Sequence, residues 1–303
     1  MQADGDTFVC VIANPTAGGG RGAHHASVVT KALADAGIRC RLVHPTSADA
    51  STQAAADAVA EGARAVLAAG GDGTVHAVIQ ALVGTDTPLG IIAGGSGDDI
   101  AASLGFPAHD AWAMAAVLVS AITSGATFLV DAGHVTSADG VERYFVGVMS
   151  TGFDSAVNER ANAMARLGGQ RYNVAILREL ASFRPVPYEV TIDDRTVSAE
   201  GMLVSIGNGQ RYGGGMLVCP AALMDDGELD ITWLGAVSTL TFLRALPLVF
   251  KGTHVDKPYV TTYRGRTLTV SAPGQIAYAD GERIGPLPIS VRTVPGALRV
   301  LAC

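Results

Sequence analysis

The 303-residue sequence lacks several features that would place it in familiar classes of protein. Its four cysteines form no Cys-x-x-Cys pair and its histidines no His-Glu-x-x-His, so reduced thiols are expected rather than disulfides or zinc ligands. No run of about eighteen apolar residues exists, and the first residues are acidic, so neither a spanning helix nor a signal peptide is expected. Positive charge is scarce, with a net charge of −7, which disfavours binding to nucleic acid. A cytoplasmic protein is predicted.

What the sequence has in abundance is small apolar residues and glycine. Hydrophobic residues make up 49% of the chain, enough for a large core, and 37 residues are glycine. The length allows two domains.

The central motif is the stretch 70–74, Gly-Gly-Asp-Gly-Thr, between an apolar run and a helical pattern. Glycines at such a corner let main-chain N–H groups approach a ligand, and the helix start adds further donors. This combination suits a phosphate group. Asp72 then fits the handling of a metal ion or a hydroxyl proton beside the phosphates, and the alternative is a simple turn whose Asp caps the next helix.

Two similar corners follow other predicted strands. The stretch 14–22 is rich in glycine and contains Arg21, but it is neither a Walker A loop nor a complete Gly-x-Gly-x-x-Gly fingerprint, and regular structure is not expected there. The stretch 94–101 combines glycines with an acidic helix start. Strands and helices that alternate at this spacing predict a doubly wound, mostly parallel sheet, in which the corners at Gly18, Gly71 and Gly95 share one edge. The predicted strands are 8–13, 38–44, 64–69 and 88–93, and the helices 23–36, 52–62, 75–82 and 111–123.

From residue 127 the pattern changes to many short strands, which predict an antiparallel β-sandwich. The predicted strands are 128–135, 144–149, 187–192, 195–199, 201–206, 229–234, 267–271, 275–279 and 288–294, with helices at 155–183 and 238–251. A last strand, 298–301, is predicted to return to the first domain. We therefore expect an α/β domain at 1–126 with 295–303, and a β-sandwich domain at 127–294.

Three charged segments of the second half each allow two interpretations. The turn 220–230 could surround a hard cation with oxygens or be an ordinary hairpin. In the stretch 279–282 a turn explains Asp280-Gly281 but leaves Glu282 available for another role. The helix 155–183 has an excess of arginine, which could face anionic lipid headgroups or be a solvated helix face. The arginines are Arg160, Arg166, Arg171 and Arg178 within the helix and Arg184 directly after it.

Taken together and in order, these motifs resemble the diacylglycerol kinase catalytic family of bacterial lipid kinases, which includes sphingosine and ceramide kinases. The resemblance is carried by short motifs along the whole chain: Asn14-Pro15 with its glycine loop, 70–74, 95–99, 131–133, 207–209, 213–215, 220–230 and 280–282. It implies a nucleotide-binding α/β domain, a β-sandwich domain and catalysis in the cleft between them.

The resemblance also implies roles for individual residues. Glu282 would be the proton acceptor and Asp72 the essential acid of the nucleotide loop, and the sequence does not choose which of the two is the base. A structural Mg²⁺ would be held by the backbone carbonyls of Leu223 and Glu228 and by the carboxylate of Asp226, with Asp131 in the same network. ATP would be bound by Asn14, Pro15, Thr16, Gly18, Gly19, Arg21, Thr46, Gly70, Gly71, Asp72, Gly73, Thr74, Ser96 and Asp99.

We therefore expect an ATP- and Mg²⁺-dependent kinase that phosphorylates a lipid hydroxyl and visits the inner face of the membrane without spanning it. A homodimer is one option for its assembly. The chain has Asp98 where many bacterial relatives have Asn, which adds negative charge beside the triphosphate. A kinase of NAD, which shares the 70–74 motif, and a nucleotide sensor without catalysis are the alternatives. The sequence does not identify the lipid.

Overall fold

The computed structural model describes residues 7–164, 175, 178, 179 and 182–303. The chain divides into two compact units. The N-terminal unit comprises Met1–Ala132 and Val294–Cys303, and the C-terminal unit comprises Gly133–Thr293.

The N-terminal unit is built on a parallel sheet. Its strands are β1 (Val9–Ala13), β2 (Cys40–Val43), β3 (Ala65–Gly70) and β4 (Leu89–Ala93). They lie in the order β2-β1-β3-β4, all parallel. Strands β1, β3 and β4 are buried along their whole length, as continuous apolar runs in a sheet covered on both faces require.

Five helices follow these strands, as expected for a doubly wound sheet. They are α1 (Arg21–Asp35), α2 (Ala48–Ala60), α3 (Asp72–Leu82), α4 (Asp99–Ser103) and α5 (Ala111–Ser124). Helix α2 begins earlier than predicted because the Ser47 hydroxyl accepts the N–H of Ala50 and caps it. The stretch 14–22 turns sharply at Ala17–Gly20, where Gly18 and Gly19 have non-helical dihedral angles, in keeping with the expectation of no regular structure there.

The C-terminal unit is antiparallel. The remaining strands are β5 (Thr127–Thr136), β6 (Glu142–Phe145), β7 (Val148–Gly152), β8 (Val186–Ile192), β9 (Arg195–Gly207), β10 (Leu229–Gly235), β11 (Val260–Gly265), β12 (Thr267–Ser271), β13 (Ile276–Ala279), β14 (Glu282–Pro286) and β15 (Ile289–Leu301). Their order is β14-β13-β7-β9-β8-β12-β15, while β10 pairs with both β9 and β11, and β5 with both β15 and β6. The end of β15 returns to the N-terminal unit, where Val300 lies beside Leu89 of β4.

Four differences from the predicted strands have a common cause. Residues 195–199 and 201–206 form one strand, β9, and 288–294 and 298–301 are both part of β15. Strands β11 and β14 were not predicted. Each is defined by its ladder to a neighbouring strand, which local sequence pattern does not encode.

Among the described residues of the C-terminal unit, two α-helices have defined bounds. They are α6 (Phe153–Ala163) and α7 (Thr239–Val249). Most of the rest of the predicted helix 155–183, including Arg166 and Arg171, lies outside the described residues. The Arg160 guanidinium pairs with the carboxylate of Glu179, so this member of the predicted basic face is neutralised within the protein.

Candidate functional site

The three glycine corners of the N-terminal unit, residues 14–22, 70–74 and 94–99, follow strands β1, β3 and β4. Because these strands are adjacent and parallel, their carboxyl ends meet at one edge of the sheet. The N–H of Gly94 donates to the carbonyl of Gly70 at 2.9 Å, which extends the β3–β4 pairing into the corners.

Main chain packs directly on main chain where the corners meet. A Cβ at Gly94 would lie 2.5 Å from the Cα of Gly22, and one at Gly95 would lie 2.5 Å from the Cα of Gly71. Side chains do not fit at such distances, so glycine is required by close approach here. The sequence pattern of three glycine corners therefore corresponds to one continuous main-chain surface.

Arg21 links the first corner to the third. Its guanidinium donates to the carbonyl of Gly18 at 3.2 Å and to that of Gly95 at 2.6 Å. Gly18 and Gly19 both have positive φ, +56° and +71°, which glycine adopts without strain. Arg21 thus sets the position of the loop and brings positive charge to the corners.

The rim of the corners is exposed and polar. The side-chain oxygen of Asn14 accepts the N–H of Thr16 at 3.0 Å and its hydroxyl at 2.9 Å, which closes a local turn. Both residues are exposed, as is Ser96 at the tip of the third corner. Thr46, predicted to contact the same nucleotide, is exposed after β2.

Asp72 caps a helix, but not the one expected. It is the first residue of α3, and its carboxylate accepts the N–H of Asp99 at 3.2 Å and that of Ile100 at 3.0 Å. These are donors that the start of α4 would otherwise leave without helical partners. Asp72 therefore holds the second and third corners together.

Asp98 takes a position in the third corner that suits either Asp or Asn. It adopts φ +55°, a conformation that Asn and Asp tolerate, and its carboxylate accepts the N–H of Gly95 at 2.8 Å. Asn offers the same acceptor oxygen. The residue is buried, so its charge is directed into the corner rather than towards solvent.

In the C-terminal unit, three carboxylates of the acidic turn share one guanidinium. Arg264 on β11 forms an ion pair with Asp226 and lies 3.3 Å from both Glu228 and Asp230. Asp230 and Arg264 are directly opposite one another in the β10–β11 ladder. The other carboxylate oxygen of Asp226 accepts the N–H of Glu228 at 3.0 Å.

As placed, this turn does not fit the predicted Mg²⁺ site. Both oxygens of Asp226 already accept hydrogen bonds, and a cation is already present. Asp131, the other predicted acidic ligand, accepts the N–H of Gly296 at 2.7 Å within the N-terminal unit. Within 7–164, 175, 178, 179 and 182–303, no cluster of three His, Cys, Asp or Glu residues could hold a metal ion. The site at Leu223, Asp226 and Glu228 stays a prediction.

The hairpin that carries Glu282 is fixed by its neighbour. Asp280 and Gly281 have φ of +52° and +85°, and the Asp280 carboxylate accepts the N–H groups of Val146 at 3.1 Å and Gly147 at 2.9 Å. The Glu282 side chain is exposed and has no hydrogen-bond partner among the described residues, while its main chain pairs with Ala279 in the β13–β14 ladder. The turn therefore presents a rigidly held but chemically available carboxylate.

An apolar cavity of about 50 Å³ lies within the C-terminal unit. Asp154 and Tyr212 are in its wall, and the Tyr212 hydroxyl donates to the Asp154 carboxylate. Burial raises the pKa of Asp154 to about 7. The Ser205 hydroxyl, also in the wall, is buried without a hydrogen-bond partner. The rest of the lining is mainly apolar and includes Leu203, Met216, Leu234, Phe242, Leu246 and Val260.

Sequence reasoning missed Asp154 and Arg264. Asp154 directly follows Gly152-Phe153, and in sequence it is only an acid at a helix start. The role of Arg264 depends on its cross-strand position opposite Asp230, which has no local signal. In the described part of the chain, no helix is long and apolar enough to cross a membrane.

Comparisons with known proteins match the chain along its length. A family model of the diacylglycerol kinase catalytic domain matches residues 8–135. A second model, the YegS C-terminal NAD kinase beta sandwich-like domain, matches residues 147–302 and confirms the predicted sandwich class.

Among individual proteins, a diacylglycerol kinase of Mycobacterium tuberculosis is 40% identical over 295 residues, which cover 97% of this chain and 94% of that protein. A crystal structure of a diacylglycerol kinase from Bacillus anthracis superposes with a TM-score of 0.72 at 20% identity, covering 99% of this chain and 98% of that one. Yeast NADH kinase, complexed with NADH, superposes with a TM-score of 0.52 at 12% identity, over 96% of this chain and 79% of that one. These two structural likenesses concern the fold.

Proposed function

Because the chain belongs to the lipid kinase family that carries the diacylglycerol kinase catalytic domain, we propose that it transfers the terminal phosphoryl group of ATP to a hydroxyl of diacylglycerol or a related lipid. The reaction needs groups that bind the triphosphate, a binding site for an apolar substrate and an acceptor for the hydroxyl proton. Each of these has a candidate in the described residues.

The observation that carries the proposal is the meeting of the three glycine corners. An α-helix leaves its first main-chain N–H groups without helical acceptors, so the starts of α1 and α3 offer donors for phosphate oxygens, and both helix dipoles favour negative charge there. Arg21 adds a positive charge to the same surface. The rim residues Asn14, Thr16 and Ser96 would contact the nucleotide from the solvent side.

The apolar cavity supports a lipid substrate. Its apolar lining would favour hydrocarbon over water by about 25 cal/mol per Å² of apolar surface buried, and the cavity of about 50 Å³ would have to widen to take an acyl chain. Asp154 and Ser205 place two polar groups within this lining, and each could bond a hydroxyl or ester oxygen of the lipid. A polar group that is buried without a partner is costly, so the Ser205 hydroxyl favours a polar ligand.

Glu282 is our candidate for the proton acceptor. Its carboxylate is exposed and has no hydrogen bond in the part of the chain that the structure describes, whereas the carboxylate of Asp72 already accepts two main-chain N–H groups. Asp72 would act as a positioning residue that keeps the corners in place. Mg²⁺ bound with ATP would neutralise charge on the phosphoryl oxygens. Every other role is assigned to side chains and main chain of this protein.

The test is a direct assay of phosphoryl transfer. Purified protein is incubated with labelled ATP and Mg²⁺, with and without mixed micelles of diacylglycerol, and then with a total lipid extract. We expect label in phosphatidic acid or a related phospholipid only when lipid is present. A parallel incubation contains NAD and labelled ATP but no lipid, and labelled NADP there would replace the proposal by the NAD kinase alternative. Tight ATP binding without any labelled product would favour a nucleotide sensor.

A further inference from the structure

Helix α7 has apolar residues on two opposite sides. Towards the interior, Phe242 and Ala245 are buried, and with Leu246 and Val249 they line the apolar cavity. Towards solvent, Leu240, Leu243 and Phe250 are 57%, 43% and 53% exposed. The helix therefore closes one side of the cavity while presenting large hydrophobic side chains outward.

The outward residues form a continuous stripe. Leu240, Leu243, Pro247 and Phe250 are all exposed, and their spacing of three, four and three residues places them on one helix face. We call these four residues the α7 stripe. A surface helix ordinarily has a polar outer face, and a helix that is apolar all round needs cover on every side.

The exposed apolar residues are concentrated here rather than scattered. The described chain has eight exposed large hydrophobics, and three of them are on or directly after α7. Isolated ones, such as Leu42 on β2, need no explanation, but a contiguous patch marks an interaction site.

The charges beside the stripe favour one partner. Arg244 and Lys251 are exposed next to it, and residues 239–251 contain no acid although the whole chain has a net charge of −7. Positive charge flanking an apolar stripe is the pattern of helices that lie in the headgroup region of an anionic bilayer. A second copy docked on the same face by two-fold symmetry would bring these cations against each other.

We propose that α7 is the membrane-docking element of this protein, with the α7 stripe inserted among lipid headgroups and Arg244 and Lys251 on anionic lipid. The inner face of the helix then lies over the apolar cavity while the outer face lies in the lipid surface. The role given to this docking element rests on the proposed lipid kinase function. Vesicle binding, which tests it, can be measured whether or not the protein phosphorylates lipid.

The test is co-sedimentation with vesicles of phosphatidylcholine, with or without phosphatidylglycerol. The wild-type chain is expected to bind the anionic vesicles, and the triple variant L240S/L243S/F250S to bind them at least about tenfold more weakly. The matched control L42S/W112S removes two other exposed hydrophobics, from the N-terminal unit, and should bind like wild type. Phosphorylation of a short-chain diacylglycerol dispersed as monomers should be unchanged in the triple variant.

A second variant keeps the test decisive if the triple variant misfolds. R244E/K251E should lose binding to anionic vesicles while its thermal unfolding stays close to that of wild type. Absence of vesicle binding by wild type, or equal loss in L42S/W112S, overturns the proposal whether or not the protein phosphorylates lipid. A wild-type dimer in sedimentation that the triple variant converts to monomer, without a change in vesicle binding, assigns the stripe to self-association instead. Vesicle binding without lipid phosphorylation would overturn the proposed function and leave the docking element standing.

Discussion

The two units build their candidate sites from different materials. In the N-terminal unit the glycine corners are main chain against main chain, and the guanidinium of Arg21 bonds two of their carbonyls. In the C-terminal unit the turn at Asp226, the hairpin at Glu282 and the cavity at Asp154 depend on side chains that distant strands bring together.

This difference predicts how each unit responds to mutation. A main-chain surface is sensitive to added volume, because a single Cβ would collide with backbone that cannot move aside. A side-chain site is sensitive to lost charge or lost hydrogen bonds, while its backbone tolerates the change. Four experiments can sharpen or break the comparison.

The largest expected effect is a loss of catalysis when Glu282 of the C-terminal unit or Asp72 of the N-terminal unit is replaced by its amide. Glu282→Gln is expected to lower kcat by about 10²–10⁴-fold with unchanged thermal stability, because the side chain of Glu282 has no bond within the described chain to lose. Asp72→Asn is expected to lower activity and also to reduce stability by about 1 kcal/mol, because one of the two N–H groups of α4 loses its carboxylate partner.

Two control variants test whether the loss of one negative charge is enough to lower kcat. Asp225→Asn removes an exposed carboxylate of the C-terminal unit, and Asp49→Asn removes one from the first turn of α2. Both should keep wild-type kcat. If Glu282→Gln also keeps it, Glu282 is not the proton acceptor and Asp72 becomes the candidate.

The same division explains what could be predicted from the sequence. The corners at residues 14–22, 70–74 and 94–99 were recognisable because glycine spacing after a strand is a local signal of main-chain geometry. Strand β11 was not recognisable, and Arg264, which it carries, acquires its role only from the ladder that places it opposite Asp230.

Asp72 shows a second limit of sequence reasoning. The local pattern allowed a cap on the helix that follows, but the carboxylate bonds the start of α4, 27 and 28 residues further on. Which of several nearby donors an acid reaches depends on how the corners pack against each other, and that is a property of the tertiary structure.

The next effect concerns the dependence of stability on pH through Asp154. Burial raises its pKa from 3.8 to about 7, so the folded protein holds this proton more tightly than the unfolded chain. Its contribution to the free energy of unfolding is therefore largest below about pH 4 and is lost as the pH rises to about 7, by at most about 4 kcal/mol.

Asp154→Asn removes the titrating carboxyl, so comparing the variant with wild type isolates the contribution of Asp154 to the pH dependence of stability. The free energy of unfolding of the variant minus that of wild type, measured by urea titration at each pH, should increase between about pH 4 and pH 7 and level off above. Asp225→Asn, exposed in the same unit, should give a flat difference. A flat difference for Asp154→Asn would mean that water reaches the carboxylate and that the cavity is wet at this point.

A smaller effect is expected from added volume in the glycine corners. Gly95→Ala should reduce stability by about 1–3 kcal/mol and weaken nucleotide binding, because the new Cβ would lie 2.5 Å from the Cα of Gly71. Gly235→Ala is the control, since its Cβ would be 3.3 Å from the nearest atom, the carbonyl oxygen of Tyr259. Thermal unfolding with and without ATP measures both quantities. Equal stability and equal ATP binding of the two variants would show that the main chain of the corners shifts to accept a Cβ and is not a rigid surface.

The smallest expected effect distinguishes Arg264 from a magnesium ion as the cation of the acidic turn. Because the guanidinium already pairs with Asp226 and lies near Glu228 and Asp230, the melting temperature of wild type should not change when EDTA replaces Mg²⁺. Arg264→Met leaves three carboxylates without their counter-charge, but the pairs are partly exposed to solvent, so the loss should be about 1 kcal/mol at low salt.

The variant should also acquire a dependence on divalent cations that wild type lacks. With the guanidinium gone, three carboxylates at one turn form an oxygen-rich, negatively charged site, and Mg²⁺ or Ca²⁺ should restore part of the lost melting temperature. The surface pair Arg41–Glu61 of the N-terminal unit supplies the control, since Arg41→Met breaks an exposed ion pair with one carboxylate rather than with three. A fall of several degrees for wild type in EDTA would contradict the assignment of Arg264. The turn would then need a bound metal in addition to its arginine, as the family resemblance implies for Leu223, Asp226 and Glu228.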